Sequence, residues 1–243
     1  MQYAQIMDAL RSYDVSKLPS PPSVFLMPES GMKAIYDCIT TNRLTASLEL
    51  GSWRGATSCV MAAAAQEIGG TVTTVDMLLQ EPANARSLAA HAGIGPELEL
   101  VIEPLGYNWF MADLIRKQTD ANGICTPIFD FCFLDGAHEW QPDALAVFLA
   151  VKLLKPGGVL VLDDLDFFIR IIPWWQSSHP HLSDRELDEH QMAMVWDLVV
   201  KQHPELENFR VTDDGRVGWA QKRQASKLQA TKPKRLLARL LAG

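Results

Sequence analysis

The stretch from Ile128 to Asp164, IFDFCFLDGAHEWQPDALAVFLAVKLLKPGGVLVLDD, leaves this chain few folds to choose from. It opens on an apolar run, Ile128 to Leu134, that stops at Asp135. It closes on a second run, Val159 to Leu162, that stops at Asp163 and Asp164. Between them lie an amphipathic helical segment and the turn Lys155-Pro156-Gly157-Gly158. Short apolar runs flanking a helix predict two buried parallel strands joined by a crossover. Ligands of such sheets sit beyond the carboxyl ends of the strands, so Asp135, Asp163 and Asp164 are expected to share one rim. Three carboxylates gathered there repel one another, and a divalent cation with oxygen ligands is the simplest remedy.

The preceding residues supply matching units. Ala46 to Leu50 reads as a strand running into Glu49-Leu50-Gly51-Ser52-Trp53-Arg54-Gly55, with an alanine-rich helix over 56–68. Gly51 can turn the chain with no β-carbon in the way, and Gly55 can start the helix close to a ligand. Loop N–H groups and the helix N-terminus favour a negative group such as a carboxylate. The next strand, Thr71 to Val75, ends at Asp76, about 20 residues beyond Gly55, where an acidic side chain suits the two hydroxyls of a ribose. Loop and acid together point to a nucleoside-containing ligand. The dinucleotide fingerprint G-x-G-x-x-G is not met, because the central glycine that admits a pyrophosphate is missing. With Glu49 adding negative charge beside the loop, a cationic sulfonium with an amino-acid tail suits the site better than a diphosphate. S-adenosylmethionine is therefore expected ahead of NAD.

Further along, the pattern predicts a helix over 82–92, a strand from Leu98 to Ile102, and a helix from Tyr107 to Gln118. Phe110 and Leu114 of that helix should face the sheet, with Trp109 a further candidate. After Asp164, Phe167, Phe168, Trp174 and Trp175 crowd a segment closed by His179-Pro180-His181, and a helix from Asp184 to Gln202 follows. Phe209 to Thr212 and Val217 to Gln221, joined by Asp213-Asp214-Gly215-Arg216, read as a hairpin. Five βα steps and an antiparallel pair predict one doubly wound, mostly parallel α/β sheet over 45–221. Ahead of it, residues 1–44 form a helical leader broken at Leu18-Pro19-Ser20-Pro21-Pro22, either a lid over the rim or packing on the sheet.

The net charge is −7 although residues 222–243 carry seven basic side chains and no acidic one. An acidic body speaks against nucleic acid as the main partner. The basic, leucine-rich tail is a candidate for contact with an anionic membrane or a partner protein, against the commoner outcome of a solvated terminus. Cys38, Cys59, Cys125 and Cys132 show no metal spacing and are expected as reduced thiols. With no signal peptide and no membrane-spanning run, a soluble cytoplasmic protein is expected. His179, His181 and Asp184 make a weak second metal candidate.

Taken in order, Glu49-Leu50-Gly51-Ser52-Trp53-Arg54-Gly55, Asp76, Phe133-Leu134-Asp135-Gly136-Ala137-His138 and Leu154 to Asp164 resemble the successive motifs of class I S-adenosylmethionine-dependent methyltransferases. Within that class the chain is similar to the metal-dependent O-methyltransferases of the catechol and macrolide-sugar types, which hold Mg²⁺ on an aspartate after strand four and an acidic or amide pair after strand five. The resemblance implies a seven-stranded Rossmann-like fold, Asp135, Asp163 and Asp164 as metal ligands, and His138 as general base. It also implies Gly51, Gly55 and Asp76 at the cofactor, with Glu49 and Ser52 nearby. Residues 1–44 and 165–200 match no pattern of the family and are expected to shape the acceptor pocket.

This set suits methyl transfer to oxygen. A neutral alcohol is a poor nucleophile near pH 7, a bound cation lowers its pKa, and a histidine on the same rim can collect the proton. A second hydroxyl would complete the metal shell, so a vicinal diol of a sugar or other small natural product is the expected acceptor. Homo-oligomer formation is a further expectation. Two alternatives stand beside this: metal-independent transfer with structural aspartates, and a non-catalytic nucleoside-binding sensor or partner subunit.

Overall fold

The computed structural model describes residues 1–172, 180–212 and 215–224. The apolar runs become strands that end where a glycine or an acid stops them. They are β1 (Ala46–Leu50), β2 (Thr71–Asp76), β3 (Leu98–Ile102), β4 (Phe129–Leu134) and β5 (Leu154–Leu162). The closing hairpin is β6 (Leu206–Val211) and β7 (Gly218–Lys222). All seven make one sheet in the order β3-β2-β1-β4-β5-β7-β6. β1 to β5 are parallel, whereas β7 runs antiparallel between β5 and β6.

Helices cover both faces. On one lie α1 (Tyr3–Arg11), α2 (Glu29–Asn42), α3 (Ala56–Ile68) and α4 (Ala85–Ala92), where Ile6, Leu10, Ile35 and Ile39 pack with Val60, Met61, Phe131 and Phe133. On the other, α5 (Tyr107–Gln118) and α6 (Trp140–Leu153) bury Met111, Val147 and Val151 with Leu48, Leu134 and Leu160. The leader is thus a layer of the core. Its proline-rich break is tied to the glycine loop by Arg54, which is 4% exposed and donates to the carbonyls of Pro19 (2.8 Å), Pro21 (2.6 Å) and Ser23 (2.5 Å).

Several expected elements shift. Lys155-Pro156-Gly157-Gly158 is not a separate turn but an irregular part of β5, whose register against β4 jumps between the Phe129–Leu154 and Phe131–Val159 pairs. The helix expected over 184–202 breaks into α7 (Asp184–Asp188) and α8 (Gln191–Val195), the latter continuing as a π-helical turn, Trp196–Val200. The break frees the Gln191 side chain to accept from the Trp140 N–H at 2.6 Å and donate to the Glu186 carbonyl at 2.7 Å. Trp109 does not face the sheet and is 52% exposed. Lys222 is the last residue of β7, its ammonium buried on the carbonyls of Val151 (2.6 Å) and Leu154 (2.8 Å).

Trp174, Trp175, His179 and the tail over 225–243 lie outside the described residues. All four cysteines are free thiols, Cys59 and Cys132 buried. Among the described residues no helix is long and apolar enough to cross a membrane.

Candidate active site

The strand ends interlock into one rim. Gly51 N–H donates to the Val75 carbonyl (2.9 Å), Asp135 N–H to Leu50 (3.0 Å) and Asp163 N–H to Leu134 (3.1 Å). Gly51, Asp76, Asp135, Asp163 and Asp164 therefore emerge side by side. Gly51 has φ 93°, and a β-carbon on it would lie 1.9 Å from the Asp135 carbonyl oxygen. Loop and β4 rim touch there. Gly55 has a different reason for being glycine than the expected approach to a ligand: a β-carbon would meet Ala85 Cα at 2.2 Å, so it lets α3 start against α4.

Asp76 organises the loop. Its Oδ2 accepts from Ser52 N–H (3.0 Å), Ser52 Oγ (3.0 Å) and Trp53 N–H (2.9 Å), and its Oδ1 from Leu78 N–H (3.3 Å). Glu49 lies beneath, 1% exposed, accepting from the Ser58 hydroxyl and from Thr74 Oγ1 at 2.6 Å. Burial pushes its carboxyl up to about 8, against the two hydroxyls and with help from the Asp135 and Asp76 charges. Glu49 supports the loop as a neutral acid and does not line an open surface.

That has a measurable consequence. Between the ordinary carboxyl value of 4.5 and the folded value of about 8, the folded state keeps a proton that the unfolded chain has released, so stability falls as pH rises through this window. Glu49→Gln has no proton to lose. Its melting temperature relative to wild type should rise from pH 5 to pH 8, by the equivalent of about 3–5 kcal/mol at full effect. A difference that stays constant over that range would show Glu49 to be ionised in the fold.

Across the rim, one oxygen each of Asp135 and Asp164 and a ring nitrogen of His138 lie within 4.8 Å of one another. His138 Nε2 is 2.7 Å from Asp164 Oδ2 and 3.4 Å from Asp135 Oδ1. Phe167 packs edge-on against the ring at 5.1 Å between centroids. His138 and Asp164 both hold left-handed backbone, φ 59° and 60°, a strain that packing must enforce. The grip comes from behind. Ala137 N–H donates to the Tyr107 hydroxyl oxygen (3.1 Å), that hydroxyl donates to Asp143, and Asp143 Oδ2 accepts from Glu139 N–H (3.1 Å). Burial alone would lower the imidazole pKa, but the Asp135 and Asp164 carboxylates outweigh it and hold His138 well above its usual 6.5. For Asp164, burial pushes upward and is overcome by His138 and Arg216, so its carboxyl sits below the ordinary range.

Asp163 does not join this group. It is 1% exposed and takes the Arg216 guanidinium on both oxygens, Nε to Oδ1 at 2.9 Å and Nη2 to Oδ2 at 3.2 Å. Arg216 Nη2 also lies 2.5 Å from Asp164 Oδ1. The expected repulsion among the three carboxylates is partly met within the chain, by Arg216 on Asp163 and Asp164 and by His138 on Asp135 and Asp164. Arg216 is the residue that sequence reasoning missed. The signal was present in the hairpin: once β7 lies antiparallel to β5 with Gly218 opposite Leu162, a residue two places earlier must sit beside Asp164. Of the second metal candidate, the two described residues go to different partners. His181 Nε2 is 3.3 Å from Glu139, and Asp184 pairs with Arg170 at 2.8 Å.

Comparison with known proteins agrees with this layout. Residues 48–165 match the family model of a methyltransferase domain. A probable O-methyltransferase of Mycobacterium tuberculosis is 30% identical over 120 residues, 49% of this chain and 48% of that protein. The chain thus spans about half the length of the curated relative it matches. An O-methyltransferase from Bacillus cereus, solved in complex with SAH, superposes with a TM-score of 0.60 at 18% identity over 91% of this chain and 90% of that one. The O-methyltransferase TomG from Streptomyces achromogenes, involved in tomaymycin synthesis and solved with SAM, gives 0.56 at 17% identity over 91% and 89%. Residues 48–165, where the rim is built, are thus similar to a methyltransferase domain, and the sheet with β7 inserted antiparallel between β5 and β6 has the Rossmann-like fold of these solved structures.

Proposed function

We propose that this chain transfers the methyl group of S-adenosylmethionine to a hydroxyl of a small molecule, a sugar or other natural product bearing vicinal hydroxyls. The observation that carries this is His138 Nε2 held 2.7 Å from Asp164, on the same rim as the loop that Asp76 orders. The methyl donor lies against Gly51 and Ser52, with its ribose on Asp76, whose Oδ1 has one protein donor and room for another. The acceptor oxygen attacks the methyl carbon as the carbon–sulfur bond breaks, leaving a neutral thioether. Its proton passes to His138 Nε2, where Asp164 stabilises the imidazolium.

A divalent cation, Mg²⁺ in the metal-dependent relatives that the motifs resemble, fits part of the donor set. Asp135 and Asp164, 29% and 15% exposed, would hold it beside His138. Asp163 would not, since both its oxygens are on Arg216. When bound, such a cation lowers the pKa of the acceptor hydroxyl. His138 offers Nε2 to the carboxylates, so that nitrogen acts either as a third ligand or as the proton acceptor, and we assign it the second role. Arg216 and His138 beside the carboxylates also favour a second reading, transfer without a metal.

Calorimetry of S-adenosylmethionine binding, followed by a diol panel with and without EDTA, tests both. Binding with turnover that is lost in EDTA is the expected result. Turnover retained in excess EDTA selects the metal-independent reading, and no cofactor binding overturns the proposal.

A further inference from the structure

We infer that Arg216 is the resident counter-cation of the acidic rim: it holds Asp163 out of the ligand set and limits to two the carboxylates that the rim offers a divalent cation. This rests on the metal-assisted reading above and assigns Arg216 a positioning role, acting through Asp163 and Asp164.

The geometry is a built one. The guanidinium meets Asp163 through two nitrogens and Asp164 through one, using the fork that suits carboxylates best. Its backbone is fixed as well, because Leu165 N–H donates to the Arg216 carbonyl at 2.9 Å, binding the hairpin to the exit of β5. A guanidinium keeps its charge at any working pH. Without it, Asp163 would be a buried carboxyl beside Asp164 and Asp135 whose oxygens are no longer held away from an incoming cation. A fixed positive charge beside Asp164 must also weaken the hold on an incoming cation by Coulomb repulsion. Arg216 therefore trades affinity for divalent cation against a stable, ordered rim in its absence. A purely structural ion pair closing the hairpin would stabilise the same fold with no effect on metal affinity.

The test uses the full chain and Mn²⁺ as probe, with the signal of unbound Mn²⁺ read by electron paramagnetic resonance. S-adenosylmethionine calorimetry on every variant checks the fold. Arg216→Met should bind Mn²⁺ at least about tenfold more tightly than wild type, while Arg216→Lys stays near wild type. Adding Asp163→Asn to Arg216→Met should remove the part of the gain that the third carboxylate supplies, leaving an affinity between those of Arg216→Met and wild type. Arg216→Met that binds cofactor normally but Mn²⁺ no more tightly than a metal-binding wild type overturns the inference alone. If neither wild type nor Arg216→Met takes Mn²⁺ although both bind cofactor, the inference and the metal-assisted reading fall together. Should Arg216→Met fail to fold, Asp163→Asn in the wild-type background decides. Mn²⁺ affinity within about threefold of wild type is expected if Asp163 is no ligand, and a loss of tenfold or more refutes that.

Discussion

Replacing His138 by alanine is expected to lower kcat by about 10²–10⁴-fold, the usual contribution of a positioned general base, with cofactor affinity nearly unchanged. The ring lies against Phe167 and both carboxylates, while the glycine loop proposed to take the cofactor is ordered from Asp76. Alanine at φ 59° adds about 1–2 kcal/mol of backbone strain, so His138→Asn is the better control: asparagine tolerates that conformation and cannot act as a base. The pH dependence gives an independent check. Asp135 and Asp164 hold the imidazole above 6.5 against the opposing effect of burial, so the ring keeps its proton to higher pH than a free histidine. Activity that needs the neutral ring should rise with pH through a value above 6.5. Stability moves the other way: the imidazolium's contribution is fully present below the unfolded value and is lost as pH rises through the raised folded value. His138→Asn should flatten the stability profile and remove the activity. A wild-type rate that is level from acid to alkaline pH would rule His138 out as the base.

The centre of the parallel sheet was legible because strands buried on both faces are largely apolar, as in Phe129–Leu134 and the end of β5. Ala46–Leu50 and Leu98–Ile102 could be bounded from their flanking glycines and acids alone. Asp135, His138 and Asp164 were legible for the same reason, since strand-end residues in such a sheet share a rim whatever packs around it. What escaped notice depends on a partner remote in sequence. Gly55 looks like a ligand-approach glycine until Ala85 is seen across from it. Glu49 looks like a loop acid until Ser58 and Thr74 enclose it. Asp163 and Asp164 are neighbours in a repeated pair, yet Arg216 engages both oxygens of the first while the second faces His138. The pleat sends successive residues to opposite sides, but only the hairpin says which side carries the guanidinium. The break after α7 was invisible because helix propensity across Asp184 to Gln202 is overridden by one side-chain amide, that of Gln191, binding the Trp140 backbone.

Gly51→Ala should be the most damaging single methyl in the chain. The added carbon would sit 1.9 Å from the Asp135 carbonyl oxygen, a backbone atom that cannot swing aside, and φ 93° is costly for any residue with a β-carbon. Both the glycine loop and the end of β4 would have to move, at an expected cost above about 3 kcal/mol, beyond the range of ordinary substitutions. Because the contact joins the cofactor loop to the segment bearing Asp135 and His138, folded Gly51→Ala should lose S-adenosylmethionine affinity by about 100-fold or more, since misplacement of about 1 Å suffices for such a loss. Gly93→Ala separates strain from collision. Its φ is 71° but nothing lies within 4 Å of the added carbon, so it should cost only about 1 kcal/mol and leave binding intact. Urea midpoints and cofactor calorimetry on the two variants read the difference. Equal midpoints and equal cofactor affinity would mean that the loop and β4 do not meet at Gly51. In that case the contact between the methyl-donor loop and the acceptor rim, on which the proposed chemistry depends, would have to be sought elsewhere along the strand ends.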